Sequence, residues 1–278
     1  MMKNKININT KVKLNNGVKM PILGLGTWQI HSGTEAGEAV LYALKAGYRL
    51  IDTAEIYGNE EEVGKALYKS GIPREEVFIT TKLWNSDHGY GPAIAACERS
   101  LKRLGLSYID LYLIHWPVKD LRNETWKAME TLLEEGKCRA IGVSNYMIWH
   151  LEELLNGSST IPAVDQVEFS PYLYQKDLLK FCRSHEIQLE AYSPLTKGLK
   201  FSDPELVSIA TKYSKSPAQI LIRWVLQRGI VAIPKSSKKE RIDDNANVFD
   251  FTISSEDMRV LDSFNENLRT GWDPSTVQ

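Results

Sequence analysis

The chain has 278 residues, 43% of them hydrophobic and 25% charged, an ordinary globular composition that can bury a sizeable core as one large α/β unit or two small ones. Its net charge is −1 with both signs interspersed and no Lys/Arg tract, which argues against nucleic acid or an anionic membrane as partner. A polar start (MMKNKININTKVKLNNG), no apolar run near the roughly 18 residues of a membrane span, and three scattered cysteines, Cys97, Cys138 and Cys182, point to a soluble protein of the reducing cytosol.

In chain order, VKLNNGVKMP reads as a hairpin, with Asn16-Gly17 supplying the positive φ angles of a tight turn. Short apolar runs then alternate with longer amphipathic ones. Strands are predicted at 22–26, 49–52, 77–82, 109–115, 138–144, 164–169, 188–193 and 230–234. Helical stretches between them include GTEAGEAVLYALKAG, PAIAACERSLKRLG, TWKAMETLLEEG and SPAQILIRWVLQRG. Gly47, Gly105 and Gly136 stand where helix C-terminal glycines belong, and Pro217 stands just inside a helix start. About eight strand–helix alternations without a linker predict one α/β domain over residues 1–278, a closed (β/α)8 TIM barrel with an N-terminal hairpin. The competing fold, a doubly wound open sheet, needs a glycine-rich turn after an early strand. The nearest stretch, GLGTWQ, has Gly24-x-Gly26 but Gln29 at the third glycine position.

In a parallel barrel the C-terminal strand ends share one face, and active sites lie there. The second strand ends in Asp52 with Tyr57 beyond it, the third in Lys82, the fourth in His115 and the fifth in Ser144-Asn145. The sixth carries Gln166, the seventh Tyr192-Ser193, and the eighth runs into Lys235-Ser236. Each has a plain alternative: Asp52 can cap a turn, Tyr57 can pack, Lys82 can snorkel to water, and His115 can be a hydrogen-bonded core residue. Together, on adjacent strands, Asp52, Lys82 and His115 converge with Tyr57 above them. A lysine about 4 Å from a tyrosine, at an effective dielectric of about 20, favours phenolate by about 4 kcal/mol, or about three pKa units before burial takes its share. An aspartate would keep that lysine charged and aimed. Such a tyrosine exchanges a proton near neutral pH, and a neutral histidine donates to the same substrate oxygen. This is equipment for protonating a carbonyl oxygen. No acyl-transfer nucleophile and no metal-ligand spacing accompanies it.

A hydride donor is then required. Ser144, Asn145 and Gln166 suit a nicotinamide carboxamide, and Tyr192 offers its ring an aromatic face. IPKSSKKERIDDN supplies Lys235, Ser236 and Arg241 at the start of a final helix, a phosphate seat or a solvated basic turn.

Over nearly its whole length the sequence resembles the aldo-keto reductases. RLIDTAEIYGNEEEVG, LIHWP, IGVSN, QVEFSP, AYSPL and IPKSSKKERIDDN correspond to that family's signature segments. The resemblance implies a (β/α)8 barrel that binds NADPH/NADP+ without a Rossmann fold and reduces aldehydes or ketones to alcohols. It implies Tyr57 as general acid, Lys82 and Asp52 as its tuning pair, and His115 as the residue orienting the carbonyl. Ser144, Asn145 and Gln166 would hold the carboxamide, and Tyr192 would stack on the nicotinamide, with Ser193 and Leu195 beside it. Thr27 would lie alongside the cofactor and Asp52 would touch its ribose. Lys235, Ser236 and Arg241 would grip the 2′-phosphate and Asn245 would contact the adenine. Trp28, Trp84 and Trp116 would line the substrate pocket with His115. Asp165 stands where the family more often has asparagine. The short tail LRTGWDPSTVQ implies an open pocket and a bacterial-type member. His88 in LWNSDHGYG either lines the pocket or lies in a solvated loop, the plainer reading. The partner is a small carbonyl compound, no metal is expected, and a cytoplasmic monomer is the expected state. Two other functions compete: an aldolase with Lys82 as Schiff-base nucleophile, which Asp52 opposes by keeping the lysine protonated, and a non-catalytic cofactor-binding barrel, which has no need of the full Asp52, Tyr57, Lys82, His115 set.

Overall fold

The computed structural model describes residues 6–277; residues 1–5, which open the polar N-terminal stretch, and residue 278 lie outside the described residues. Lys11–Lys13 (β1) and Lys19–Pro21 (β2) form the antiparallel hairpin. Its turn corrects the expected one: only Gly17 takes a positive φ, +89°, and its N–H donates to Leu14 O at 2.9 Å. Asn16 keeps an ordinary backbone and spends its side chain on Arg139 O (3.0 Å), as Asn15 does on Pro162 O (3.0 Å). Arg139 lies at the start of the strand Cys138–Ser144 and Pro162 just before the strand Val164–Glu168, so the hairpin closes the bottom of the molecule, where Leu14 and Met20 are buried.

Eight parallel strands follow: Leu25–Gly26 (β3), Leu50–Asp52 (β4), Phe78–Leu83 (β5), Ile109–Ile114 (β6), Cys138–Ser144 (β7), Val164–Glu168 (β8), Gln188–Tyr192 (β9) and Val231–Ala232 (β10). Each pairs with its neighbour in sequence. The ring closes between the first and last through Ala232 N to Ile22 O (3.0 Å), Gly24 N to Ala232 O (2.9 Å) and Gly26 N to Pro234 O (3.2 Å). Those two strands are shorter than their apolar runs, partly because Pro234 has no N–H to continue a ladder. The seam also explains the isolated Gly-x-Gly. A Cβ at Gly24 would meet Leu50 Cγ at 2.4 Å, and one at Gly26 would meet Ile233 O at 2.8 Å. These glycines serve close packing.

Among the described residues ten helices wrap the outside: Thr34–Lys45 (α1), Glu60–Ser70 (α2), Tyr90–Leu104 (α3), Arg122–Glu134 (α4), Ile148–Gly157 (α5), Lys176–Ser184 (α6), Pro204–Lys212 (α7), Pro217–Gln227 (α8), Lys239–Ala246 (α9) and Ser255–Asp262 (α10). Gly47, Gly105 and Gly136 all take positive φ just past helix ends, and Ser216 caps α8 in a reciprocal box with Gln219. No helix among the described residues is long and apolar enough to cross a membrane.

The period of two along each strand sorts side chains into an inner and an outer set. Leu50, Phe78, Leu111, Leu113, Ala140, Val164 and Val231 pack inside the barrel, whereas Ile51, Ile79, Tyr112, Ile141 and Val167 pack outward against the helices. The inward phase continues upward onto Asp52, Lys82, His115, Ser144, Gln166, Glu190 and Tyr192. Asp165 falls in the outward phase, fully buried, and neither carboxyl oxygen has a hydrogen-bond partner of ordinary geometry. Burial pushes its carboxyl well above the usual range, offset only by the backbone of Tyr146. The unfolded chain therefore releases this proton first. The penalty begins near pH 4, the ordinary value of about 3.9, and grows as pH rises toward the elevated folded value. Asp165→Asn is expected to stabilise the protein, with a larger gain in urea unfolding at about pH 8 than at about pH 5; an equal gain at both would contradict this account.

Candidate active site

Lys82, at the top of β5, has no exposed side-chain surface. An ammonium carries three protons and no acceptor, and each proton has a partner: Asp52 Oδ1 at 2.7 Å, Thr53 O at 2.9 Å and Tyr57 Oη at 3.3 Å. Because Lys82 can only donate, Tyr57 Oη must be the acceptor, and the phenol's own proton is left to point elsewhere. Tyr57 is brought there by the single 3-10 turn Glu55–Tyr57 after β4, closed by Gly58 at φ +67°. Buried Asn59 locks that turn: its amide donates to Thr27 O (3.2 Å) and Ile30 O (3.3 Å) and its oxygen accepts from Thr53 Oγ1 (2.6 Å).

The electrostatics correct one expectation. Burial pushes the Tyr57 hydroxyl above the ordinary tyrosine range, and the charge of Lys82 offsets only part of the rise. Tyr57 is a neutral phenol, a proton donor in waiting. Lys82 is pulled down by burial, yet Asp52 and Tyr57 outweigh this and hold it above the usual lysine range. His115 is held well below its ordinary value by burial, then by the nearby Lys82 charge, so its ring is neutral. Its edge faces Tyr57, with centroids 5.7 Å apart.

Gln166, on β8, donates one amide proton to Asp52 Oδ2 (2.7 Å) and the other to Glu190 Oε2 (2.8 Å). With both N–H groups spent, its carbonyl oxygen is the free group. Burial, and then the charge of Asp52, raises the Glu190 carboxyl to about 8. Ser144 Oγ donates to Gln166 O (2.8 Å). Asn145, at φ +64°, donates to His115 O (2.9 Å) and Ser144 Oγ (3.1 Å), and accepts from Tyr192 Oη (2.8 Å).

These groups floor a cleft of about 1130 Å³, larger than the roughly 300–1,000 Å³ of ordinary small-ligand pockets. Tyr57, His115, Ser144, Asn145, Gln166 and Tyr192 line it, with the Trp28 ring against Tyr57 and the Trp84 and Trp116 rings against His115. Lys235, Ser236, Arg241 and Asn245 line the same cleft, with Ser193 and Leu195 also on the wall. The structure thus brings nearly all the residues singled out from sequence to one surface. Two residues lie beneath it instead of on its wall: Lys82 is fully buried and reaches the cleft only through Tyr57 and Asp52, and Thr27 is fully buried and spends its hydroxyl on Asp52 O at 2.9 Å. His88 is neither solvated nor on the cleft wall; it is 5% exposed, both ring nitrogens lack partners, and burial lowers it to about 4.

A family model described as "Aldo/keto reductase family" matches residues 22–266. The glyoxal reductase of Bacillus subtilis is 53% identical over 266 residues, covering 96% of each chain. The solved structure of an aldo-keto reductase from a Medee basin deep-sea metagenome library superposes with a TM-score of 0.93 at 49% identity, covering 97% of this chain and all of that one. The Bombyx mori aldo-keto reductase in complex with NADP gives 0.89 at 38%, covering 95% of each. The chain belongs to the aldo/keto reductase family. It is an oxidoreductase enzyme.

Several groups of this aldo/keto reductase site escape a sequence reading. Glu190 is one member of a strand and looks like a capping acid until the strand's phase is known. Asn59 sits in a polar run, NEEE, that reads as a helix start. Trp272 lies in an aperiodic tail, yet it lines the cleft, so the short tail supplies a wall where an open side was expected. The cleft fits a dinucleotide. Gln166 presents a bare acceptor, Tyr192 an aromatic ring, and Lys235, Lys238 and Arg241 gather at the start of α9, where Asp244 is the nearby acid on the wall. Among the described residues no group of His, Cys, Asp and Glu could hold a metal ion.

Removing one partner of a buried ion pair leaves the other charge uncompensated. Lys82→Met is expected to lower folding stability by about 3–5 kcal/mol, and Lys82→Met with Asp52→Asn to recover part of that loss. Denaturant unfolding of the single and double variants checks it; a double variant weaker than the single would contradict the pairing.

Proposed function

We propose that this protein is an NADPH-dependent carbonyl reductase that converts aldehydes and ketones to alcohols, with Tyr57 as the proton donor. The observation that carries the reading is the saturation of Lys82. All three of its protons are taken, so the Tyr57 hydroxyl proton is free to face the cleft. NADPH, when bound, supplies the hydride. Ser144, Asn145 and the bare Gln166 oxygen hold the carboxamide, and Tyr192 takes the face of the nicotinamide ring. Lys235, Ser236 and Arg241 grip the 2′-phosphate, and Asn245 contacts the adenine. Asp52 reaches the ribose, and Thr27 acts from beneath by fixing the Asp52 backbone.

His115, neutral because it is buried beside Lys82, donates a hydrogen bond to the carbonyl oxygen and orients it between itself and Tyr57. As that oxygen gains negative charge, Tyr57 gives up its proton. The fixed charge of Lys82 stabilises the phenolate that remains, and solvent later returns the proton. Trp28, Trp84 and Trp116 receive the body of the substrate. A lysine nucleophile is disfavoured, since Lys82 is held above its usual range with no lone pair to offer. The reading includes a single barrel domain working as a cytoplasmic monomer on small molecules. The balanced charge and three buried free cysteines support it.

Tyr57→Phe is expected to lower kcat for aldehyde reduction by about 10²- to 10⁴-fold, the range of a lost general acid, with NADPH affinity nearly unchanged. Loss of NADPH absorbance with an aldehyde panel that includes glyoxal measures this, and retained turnover in the variant would sink the proposed mechanism. Lys235→Ala with Arg241→Ala is expected to weaken NADPH binding by about tenfold or more, as for lost charge-assisted contacts, and NADH binding far less. Fluorescence titration of both cofactors checks it, and equal losses for the two would remove the phosphate seat from these two residues.

A further inference from the structure

After α10 the chain runs back over the top of the barrel, and Thr270, Gly271 and Trp272 reach the cleft wall. Trp272 is 62% exposed, so burial does not hold its ring in place. The ring stands 5.5 Å from Trp116 and 6.5 Å from Trp84, centroid to centroid, and Trp84 in turn meets His115 at 5.3 Å. The backbone behind Trp272 is fixed by Glu168, the inward residue two beyond Gln166 on β8. This carboxylate is 3% exposed. It accepts from Thr270 N (2.7 Å), Thr270 Oγ1 (2.6 Å) and Gly271 N (3.1 Å). From the other side Lys197 Nζ, in the loop after β9, donates to Thr270 O at 2.6 Å. An exposed segment outside helix and strand stays mobile unless its backbone is tied down. Three donors converging on one buried carboxylate make such a tie, at the residue pair that precedes the aromatic wall.

We propose that Glu168 is a positioning residue for substrate: it clamps Thr270 and Gly271 so that Trp272 stands as a fixed wall beside Trp84 and Trp116, favouring carbonyl compounds with a flat apolar body. This rests on reading the cleft as a carbonyl reductase site. A two-carbon dicarbonyl held at Tyr57 and His115 is too short to use the wall, whereas an aromatic aldehyde extends along it. Selectivity between the two therefore depends on the clamp, although Glu168 touches neither the reacting atoms nor the cofactor.

The test compares wild type with Glu168→Ala, Thr270→Val and Trp272→Ala. Thr270→Val removes one hydrogen bond and leaves the buried carboxylate in place, so it remains informative if Glu168→Ala fails to fold. Amide hydrogen exchange of residues 269–273 in the enzyme without cofactor should speed up in Glu168→Ala, and less so in Thr270→Val, with the strands unchanged. KM for benzaldehyde should rise about fivefold or more in Glu168→Ala and Trp272→Ala, as for loss of an aromatic contact, with kcat nearly constant and KM for glyoxal unmoved. Unchanged exchange in the tail of both clamp variants, or equal shifts in KM for the two aldehydes, would overturn the proposal. If wild type reduces no carbonyl compound, the carbonyl reading fails, and the exchange measurement still decides whether Glu168 holds the tail.

Discussion

A lysine ammonium with no contact with water is the most demanding group in this molecule, and the site is arranged around satisfying it. Desolvating such a charge costs several kcal/mol even after relaxation. Lys82 is tolerated because Asp52, the Thr53 carbonyl and Tyr57 each take one proton. That requirement fixes three things together: the top of β4, the top of β5, and the short turn that carries Tyr57. Moving any one by an ångström would leave a donor on Lys82 unpaired in a low-dielectric interior, where an unmade hydrogen bond is most costly. The same saturation leaves the Tyr57 proton directed away from the lysine.

A second consequence spreads sideways through Asp52. Its other oxygen accepts from Gln166, and the remaining Gln166 proton goes to Glu190. Two buried carboxyls flank one amide. Glu190, raised to about 8, is mostly protonated at neutral pH, so it adds little negative charge beneath the site. The amide orientation of Gln166 follows from this arrangement. Nitrogen faces the acids, and oxygen faces the cleft. The barrel makes it possible, since a period of two stacks polar side chains directly above the apolar ones that fill the interior.

Much of this was legible in the sequence, for a physical reason. Each barrel strand is an apolar run that ends where water or ligand begins, so a polar residue such as Asp52, Lys82 or His115 at the end of a run marks both the strand's limit and the shared face. What could not be read depended on depth and phase. Whether burial or Lys82 wins at Tyr57 is a competition between two large opposing effects, and only the degree of enclosure decides it. Glu190 and Glu168 look like ordinary acids until the register assigns them inward. The hairpin turn depended on where the Asn15 and Asn16 side chains found acceptors, Pro162 O just before β8 and Arg139 O in β7, more than a hundred residues away. His88 reads as a loop residue, yet it is buried, in a loop tied to α4 through Gly89 N and Thr125 Oγ1.

The central claim is that burial keeps Tyr57 a neutral phenol beside a saturated lysine. The most direct measurement is an ultraviolet difference titration of tyrosinate absorbance, wild type minus Tyr57→Phe, without cofactor. The account predicts that the difference signal, the ionisation of Tyr57 itself, emerges only above the ordinary tyrosine value of about 10. A tyrosine ionising between about pH 7 and 9 in wild type, and absent from the variant, would contradict it and restore a lysine-dominated phenol.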